Sequence, residues 1–555
     1  MLGRIKKLYR NSAKKNHFIQ TVSEKTGWSH SEAKKAMEDA NRRLGISFDD
    51  YCKYEFFAVP VEEQEDKYKR IKRYRKVVAS VAKAAGIKKS EARELIDEAK
   101  SQGISNTNFS KRNYYRAFQA GIPYSEYERF QAWDLTDEEL EELAKYIDLA
   151  HKKDEFMKEW FVDVAVEKSG MDRDLARRKL MIVLEKGYSG HSFIRKRLYK
   201  RTIKRLKRLS VKGEEKDDIY VASMEAYEEK AVAAKGWNHS QYLLDLFKAR
   251  VLCGCNSWEY MLSRIYNYSD EDKGHFLTTF MKEMMVTRYI DWENKGYLNF
   301  KDKTTFNTLF KDFTHRDWFI LDDLNEEEFL ERISTWGPYL VYKPENAMKG
   351  RGIQKFAINE SPEQNREVYK TLHEMGEAII EKCIVQHDVM ASFYPGAIDS
   401  IRIVTMRTDD HVDFLVGMFR TGRDGVVDNW SAGGVCAGID LETGLIRTEG
   451  LLHSGDLVEC HPVTGTKFKG TYLPYWDRVR EECTKAAKVV ENSRMVGWDI
   501  TITPDGEVVF IEGNHSPGVI GIQAAHSASE GILLEEKYRP FLYFEKNLLD
   551  FLNDR

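Results

Sequence analysis

The chain of 555 residues is long enough to bury several hydrophobic cores, and its length predicts two to four domains. Hydrophobic residues make up 42% and charged residues 32% of the sequence, with a formal net charge of -3. These values are typical of a soluble globular protein and exclude the disordered and fibrous classes.

The seven cysteines are an odd number in a long chain, so they do not indicate a disulfide framework. Cys253 and Cys255 have no second pair at metal-ligand spacing, so a zinc site is not expected. No apolar run reaches the roughly 18 residues of a membrane-spanning helix, and no signal-peptide core follows the basic N-terminus. We therefore expect a cytoplasmic protein, with the inner face of the membrane as an alternative location.

Positive charge is concentrated in three runs, at residues 4–15, 67–76 and 195–212. The last run contains ten basic residues and no acidic one. If this run is helical, its apolar residues fall on one stripe and its cations on the other face. Such a helix is expected to pack on the protein's own core, and the alternative is peripheral contact with an anionic membrane or polysaccharide.

The first 285 residues or so are rich in helix formers and contain four imperfect copies of one unit. Each copy has a glycine followed 17 or 18 residues later by a second glycine, in the pairs Gly27 and Gly45, Gly86 and Gly103, Gly170 and Gly187, Gly236 and Gly254. Two residues after the second glycine stands a good helix N-cap, namely Ser47, Ser105, Ser189 or Asn256. The pattern predicts helix-turn-helix units that serve as packing modules or, alternatively, bind a partner. Nucleic acid is not expected as that partner, because no copy shows a recognition helix.

After residue 285 the sequence alternates between strand-like runs, glycine turns and amphipathic helices. An apolar strand ends at Lys343, and a loop with Lys349, Gly350 and Gly352 separates it from a second strand. A lysine facing a glycine-bearing loop can hold nucleotide phosphates from two sides. A further apolar strand breaks between Glu381 and Asp388, where backbone groups could face a purine.

The stretch "VGWDITITPDGEVVFIEGN" at 496–514 predicts a hairpin. With Asp505 and Gly506 at the centre of the turn, Asp499 lies directly opposite Glu512, and Asn514 shares the face of Glu512. Two carboxylates opposite each other repel unless a cation lies between them. Three oxygen donors on one face suit Mg²⁺, and the alternative is an exposed hairpin with solvated acids.

Together these motifs resemble the ATP-grasp superfamily, and more narrowly its sugar-transfer associated domains, over roughly residues 290–540. The resemblance rests on "DKTTF" at 302–306, "YKP" at 342–344, "IEK" at 380–382 with "QHD" after it, "SIRIVT" at 400–405, "GRDGVVDNWSAGGV" at 422–435 and the final "D…EGN". It implies a C-terminal ATP-grasp fold. Together with the helical repeats before it, the chain is predicted to be α+β, with this fold preceded by an all-α region of repeated helix-turn-helix units.

The predicted domains are as follows, in chain order. The helical region is 1–285, with repeats at about 22–57, 80–118, 164–199 and 230–266. A linker and the start of the ATP-grasp domain occupy 286–335, the nucleotide subdomain with its phosphate loop 336–395, and the metal and acceptor subdomain 396–555.

The resemblance also implies roles for individual residues. Lys343 and Lys303 would contact ATP phosphates beneath the loop that contains Lys349, Gly350 and Gly352. The nucleoside would meet the backbone of Lys382 and Ile384, with Glu381 or Asp388 near the adenine amine or the ribose. The magnesium ligands would be Asp499, Glu512 and Asn514. Arg402 and Arg420 would neutralise a phosphoryl or acyl phosphate group, and Asn429, with Asp428 and Gly433-Gly434, would line the acceptor side.

One position departs from the pattern of D-alanine:D-alanine ligase and its relatives, which place an arginine two residues before the first metal aspartate. Here that position is Gly497. The expected reaction is ATP- and Mg²⁺-dependent ligation of a carboxylate to an amine through an acyl phosphate, on an amino acid or sugar acid of surface polysaccharide biosynthesis. A kinase that phosphorylates a hydroxyl and a nucleotide-regulated binding protein are the alternatives.

Overall fold

The computed structural model describes residues 2–198, 200, 228–290, 296–344, 352–531, 538 and 541. Lys349, Gly350 and residues 201–212 of the third basic run lie outside the described residues. The chain divides into two compact units, Met1–Ala144 and Lys145–Arg555. The boundary between the two units therefore lies well before residue 285, where the sequence changes from helix-rich to alternating strand-like and helical segments.

The first unit is entirely helical in its described part. Its α-helices are Leu2–Thr26, His30–Leu44, Phe48–Lys53, Gln64–Ala84, Lys89–Ser101, Asn106–Lys111, Tyr115–Gln119, Tyr124–Arg129 and the beginning of Asp137–Ser169. Local caps fix these boundaries. Gly45 ends one helix with a left-handed φ of 72°, and the Ser47 side chain accepts a hydrogen bond from the backbone of Asp50 to open the next.

The predicted caps recur along the chain. The side chains of Ser105, Ser189 and Asn256 each accept from the backbone three residues ahead, as Ser47 does. All eight glycines of the four pairs have positive φ. These are local features that any helix end can use, so the interpretation of the four segments as copies of one unit stays a prediction.

The second unit contains further helices and both β-sheets. Its helices after Asp137–Ser169 are Arg173–Glu185, Gly190–Arg195, residues 228–235, His239–Cys253, Ser257–Leu262, Asp270–Lys273, Thr279–Tyr289, Lys303–Leu309, Lys311–Thr314, Glu326–Ser334, Pro362–Met375, Asp388–Ala391, Trp476–Ala486 and Ile520–Glu530. Of the third basic run only Arg195 belongs to this helix, which ends there, and Arg197 adopts a φ of 52°.

The smaller sheet has four antiparallel strands in the order β1-β4-β2-β3. Their bounds are Trp318–Ile320 for β1, Tyr339–Pro344 for β2, Gln354–Ala357 for β3 and Ala378–Lys382 for β4. The predicted strands on either side of the glycine-bearing loop are therefore β2 and β3, paired as neighbours.

The larger sheet has seven antiparallel strands in the order β11-β10-β5-β6-β7-β8-β9. Their bounds are Ser400–Arg407 for β5, Val412–Thr421 for β6, Val435–Gly438 for β7, Gly450–Leu452 for β8, Leu457–Val458 for β9, Met495–Ile502 for β10 and Val508–Asn514 for β11. The predicted α+β class, with helices first and sheets later, is confirmed.

The core of the second unit joins helices to the larger sheet. One buried cluster includes Met281 and Met285 of a helix together with Val404 and Val416 of β5 and β6. Burial of this apolar surface stabilises the association of the two. The helix Thr279–Tyr289 therefore packs directly on the larger sheet. No helix within the described residues is long and apolar enough to cross a membrane.

Candidate functional site

The hairpin of β10 and β11 brings the predicted oxygen donors together. Asp499 pairs with Glu512 and Gly497 with Asn514, in the register that the sequence predicts. Side chains alternate along each strand, so Glu512 and Asn514 share a face. The end of the hairpin away from the turn is thus as expected.

The predicted two-residue turn is wrong. Ile502 pairs with Val508, and Thr503 and Glu507 enclose a three-residue loop with a 3.0 Å backbone bond between them. Gly506 adopts a φ of 84°, which favours glycine in such a loop. The register shifts beyond Asp499, so Ile511 is an extra residue on β11. This bulge compensates for the longer loop and restores the pairing of Asp499 with Glu512.

Asp499 is surrounded by cations contributed by the neighbouring strands. Its side chain is buried, and Arg402 on β5 donates Nε to Oδ1 at 2.7 Å and Nη2 to Oδ2 at 2.6 Å. Arg420 on β6 approaches Oδ2 at 2.9 Å. Although burial alone raises the pKa of a carboxyl, Arg402 and Arg420 hold the pKa of Asp499 well below its usual range. Asp499 is therefore an anion at neutral pH.

Glu512 and Asn514 form the open part of the same face. Asn514 Nδ2 donates to Glu512 Oε1 at 3.1 Å, and Arg402 Nη2 lies 4.0 Å from that oxygen. The Glu512 side chain is 55% exposed, but it lies beside buried charge. Desolvation of the Glu512 carboxyl, followed by the charge of Asp499, raises the pKa of Glu512. The negative potential of Asp499 that raises this pKa also favours a cation beside Glu512.

The donor set fits a hard cation such as Mg²⁺, which prefers a few carboxylate or carbonyl oxygens. Glu512 and Asn514 supply accessible oxygens, whereas both oxygens of Asp499 already accept from guanidinium groups. Asp499 can therefore serve as a ligand only while it shares its oxygens with Arg402 and Arg420. Among the residues that the structure describes, no group of three His, Cys, Asp or Glu side chains is placed to hold a metal.

Gly497 has a steric reason to lack a side chain. A Cβ there would lie 2.5 Å from Cβ of Pro517, in the loop that follows β11. An arginine at this position is therefore excluded by the loop. The guanidinium groups at Asp499 come instead from β5 and β6.

On the phosphate side, the two predicted lysines meet at the end of β2. Lys343 Nζ donates to Glu381 Oε2 at 2.5 Å, and Lys303 Nζ donates to the carbonyl of Pro344 at 2.7 Å. Gly352 returns beside them, since a Cβ on it would lie 3.0 Å from Cγ of Pro344. Both lysines thus flank the place where the chain enters residues 345–351, which are not described.

Glu381, which was predicted to lie near the adenine amine or the ribose, forms a buried network with basic and polar side chains. Its carboxylate is buried and contacts Lys343, Asn307 and Arg316, with Arg316 Nε donating to Oε2 at 2.8 Å. Although burial alone raises the pKa of a carboxyl, these two cations hold the pKa of Glu381 well below its usual range. The anion positions Lys343, so contact with a nucleotide requires this network to open. Its nucleoside role stays a prediction.

Arg316 was missed by sequence reasoning. Besides Glu381, it donates Nη1 to the carbonyl of Phe510 at 2.7 Å and Nη2 to that of Ile511 at 3.3 Å. These carbonyls belong to the bulge of β11, so one guanidinium links the smaller sheet to the hairpin of the larger one. No local motif marks Arg316, which lies in an ordinary polar stretch before β1.

The predicted adenine-contacting residues follow β4. The backbone N–H of Lys382 donates to the carbonyl of Asp317 at 2.9 Å, so a purine could use only its carbonyl. Ile384 is half-buried, and Asp388 is the exposed first residue of a short helix. Their contact with a nucleotide stays a prediction.

Besides Asp499, Arg420 has further partners near the residues that were predicted to line the acceptor side. Ser400 Oγ accepts from Arg420 Nε at 3.1 Å and from Nη2 at 2.7 Å, and it also bonds Asp428. Ser400 was not identified from the sequence. Asn429 Oδ1 accepts from Ser431 N at 3.1 Å and caps a short 3-10 helix, Trp430–Ala432. A catalytic role for Asn429 stays a prediction.

Comparison with known proteins adds a family match. Residues 286–535 match the family model described as sugar-transfer associated ATP-grasp. A comparison with curated protein sequences finds no match.

Several solved structures are similar to part of the chain. An ADP complex of N5-carboxyaminoimidazole ribonucleotide synthetase has 12% identity and a TM-score of 0.26, over 43% of this chain and 55% of that chain. D-alanyl-alanine synthetase A from Vibrio cholerae has 9% identity and a TM-score of 0.30, over 47% and 66%. D-alanine-D-alanine ligase from Coxiella burnetii has 13% identity and a TM-score of 0.27, over 47% and 58%. The chain thus spans less than two thirds of each of these proteins.

Proposed function

We propose that the protein is an ATP- and Mg²⁺-dependent carboxylate–amine ligase, because residues 286–535 match the sugar-transfer associated ATP-grasp family model. Its acid substrate would be an amino acid or a sugar acid of surface polysaccharide biosynthesis. The observation that carries the proposal is the opposition of Asp499 and Glu512 on paired strands, with Arg402 beside both.

The nucleotide would lie between the two sheets, with its phosphates directed at the end of β2. Lys343 and Lys303 supply positive charge there, and Lys343 must share or leave its bond to Glu381 to reach a phosphate. Glu512 and Asn514, with Asp499 behind them, would hold Mg²⁺, which when bound offsets negative charge on the transferring phosphoryl group.

In the first step, a carboxylate oxygen of the substrate attacks the γ phosphorus, and the bond to the ADP oxygen breaks. This produces an acyl phosphate and ADP. Arg402 suits this step because its Nε and Nη2 donate to Asp499, and these two hydrogen bonds fix the orientation of the guanidinium group. Its Nη1 lies 3.9 Å from the position that a Cβ of Gly518 would occupy, in the loop that follows β11.

In the second step, the amine nitrogen attacks the acyl carbon, and a tetrahedral oxyanion forms. The carbon–oxygen bond to phosphate then breaks, and the nitrogen gives up a proton as the amide forms. Arg420, fixed by Ser400 and Asp499, is our candidate for stabilising the oxyanion, because its geometry is set before the reaction begins.

The proposal predicts that hydroxylamine will intercept the acyl phosphate. Purified protein with ATP, Mg²⁺ and a panel of amino acids and sugar acids should release ADP and form a hydroxamate with its own acid substrate, measured as the coloured iron complex. The variant for comparison is Lys343→Met. It removes the positive charge that is proposed to contact a phosphate and should lower hydroxamate formation by about 100-fold.

A stable phosphate ester on a sugar, with no hydroxamate from any acid, would show a kinase instead. Tight ATP binding without turnover in the presence of every acceptor would indicate a regulatory nucleotide site.

A further inference from the structure

A group of basic side chains lies beside the loop that follows β11. Lys282, in the helix Thr279–Tyr289, is only 7% exposed and donates Nζ to Ser516 Oγ at 3.0 Å. Ser516 is two residues beyond Asn514, so the Lys282 ammonium binds the loop that directly follows the hairpin strand with Glu512 and Asn514. Burying an ammonium is costly unless its charge is used or compensated.

Arg195 brings a second cation to the same place. Glu283 forms ion pairs with both Arg195 and Lys282, the latter at 2.5 Å. One carboxylate thus serves two cations, and Glu259 is a second acid that acts on Lys282. Arg195 is also the first residue of the basic run 195–212 and the last of the helix Gly190–Arg195, which packs against Thr279–Tyr289.

At Lys282 the repulsion from Arg195 is larger than the attraction of Glu259. His191, whose Nδ1 lies 2.8 Å from Thr287 Oγ1, is neutral, because burial and then Arg195 lower its pKa to about 4. Burial, followed by Arg195, also lowers the pKa of Lys282 to about 8. Each cation therefore raises the free energy of the other, and an anion between them would relieve that repulsion.

We propose that Arg195, Lys282 and Ser516 form an anion-binding subsite that receives the acidic group of the acceptor substrate, either a carboxylate or a phosphate. The assignment to the acceptor rests on the proposed ligase function, but binding of an anion can be measured without turnover. Arg195 and Lys282 both precede residue 286, so the helical part of the second unit would contribute directly to substrate choice.

Isothermal titration of the full chain tests the subsite. The protein is first saturated with AMP-PNP and Mg²⁺, so that triphosphate positions are filled, and is then titrated with succinate or with glycerol 3-phosphate. These probes distinguish a carboxylate from a phosphate source. Arg195→Gln and Lys282→Gln should each weaken the better probe by about tenfold or more, as expected for losing a charge-assisted hydrogen bond.

Lys196→Gln is the matched control, because it removes an equal charge from the exposed neighbour of Arg195 and should leave affinity within about twofold. Lys282→Arg should retain most of the affinity and covers the case in which Lys282→Gln does not fold. Wild-type affinity in both Gln variants, or no binding of either probe to the wild type, would overturn the subsite.

Failure of the proposed function would look different. If AMP-PNP does not bind, the probes are titrated into the nucleotide-free protein. Loss of probe binding in Arg195→Gln and Lys282→Gln would then support the subsite and count against the nucleotide chemistry.

Discussion

Glu512→Gln should lower Mg²⁺-dependent turnover by at least about 100-fold, more than the usual loss on removing a supporting group of a metal site. Glu512 carries the accessible carboxylate of the hairpin face, and an amide cannot replace its charge. ADP release at saturating ATP is the measurement, with circular dichroism to show that the fold is retained.

Glu507→Gln is the matched control for that variant. Glu507 lies in the same hairpin, but next to the turn, where its side chain is paired with His315 at 3.5 Å and not with Glu512 or Asn514. Turnover of Glu507→Gln should equal that of the wild type. Equal turnover of Glu512→Gln and Glu507→Gln would remove Glu512 from the site.

Arg316→Met should lower the free energy of unfolding of the second unit by about 3–5 kcal/mol, because it leaves Glu381 buried with one of its two cations gone. It also removes the donors to the carbonyls of Phe510 and Ile511. Urea denaturation followed by tryptophan fluorescence measures the change.

Arg332→Met provides the comparison, since Arg332 pairs at 3.8 Å with Asp317 and both side chains are more than half exposed. That pair should contribute less than about 1 kcal/mol. Adding Glu381→Gln to Arg316→Met should recover part of the loss, because the unpaired buried charge disappears. If Arg316→Met were as mild as Arg332→Met, the link between the sheets would carry little of the stability.

Features that depend on short-range sequence could be predicted. The helix caps at Ser47, Ser105, Ser189 and Asn256 follow from side-chain geometry within four residues. The opposition of Asp499 and Glu512 follows from strand alternation, although two deviations cancel, a longer loop and the bulge at Ile511. Nothing in the local pattern marks such a bulge, since it is fixed by Arg316 from a distant part of the chain.

Features that depend on how the sheets meet could not be predicted. The cation that offsets the carboxylates was expected to be Mg²⁺, and the structure supplies Arg402 and Arg420 as well. Glu381 likewise contacts Arg316 and Lys343, which are far from it in the sequence. Hydrophobic periodicity places these side chains on strands but does not say which strands become neighbours.

The central claim is that the β10–β11 hairpin and Lys343 form one magnesium-nucleotide site. Its most direct test is the affinity for AMP-PNP, measured by isothermal titration in Mg²⁺ and again in EDTA. The wild type should bind at least about tenfold more weakly in EDTA, and Glu512→Gln should bind equally in both, because the loss of one charged ligand removes the coupling. Equal affinity of the wild type in Mg²⁺ and EDTA, or a full magnesium response in Glu512→Gln, would contradict the claim.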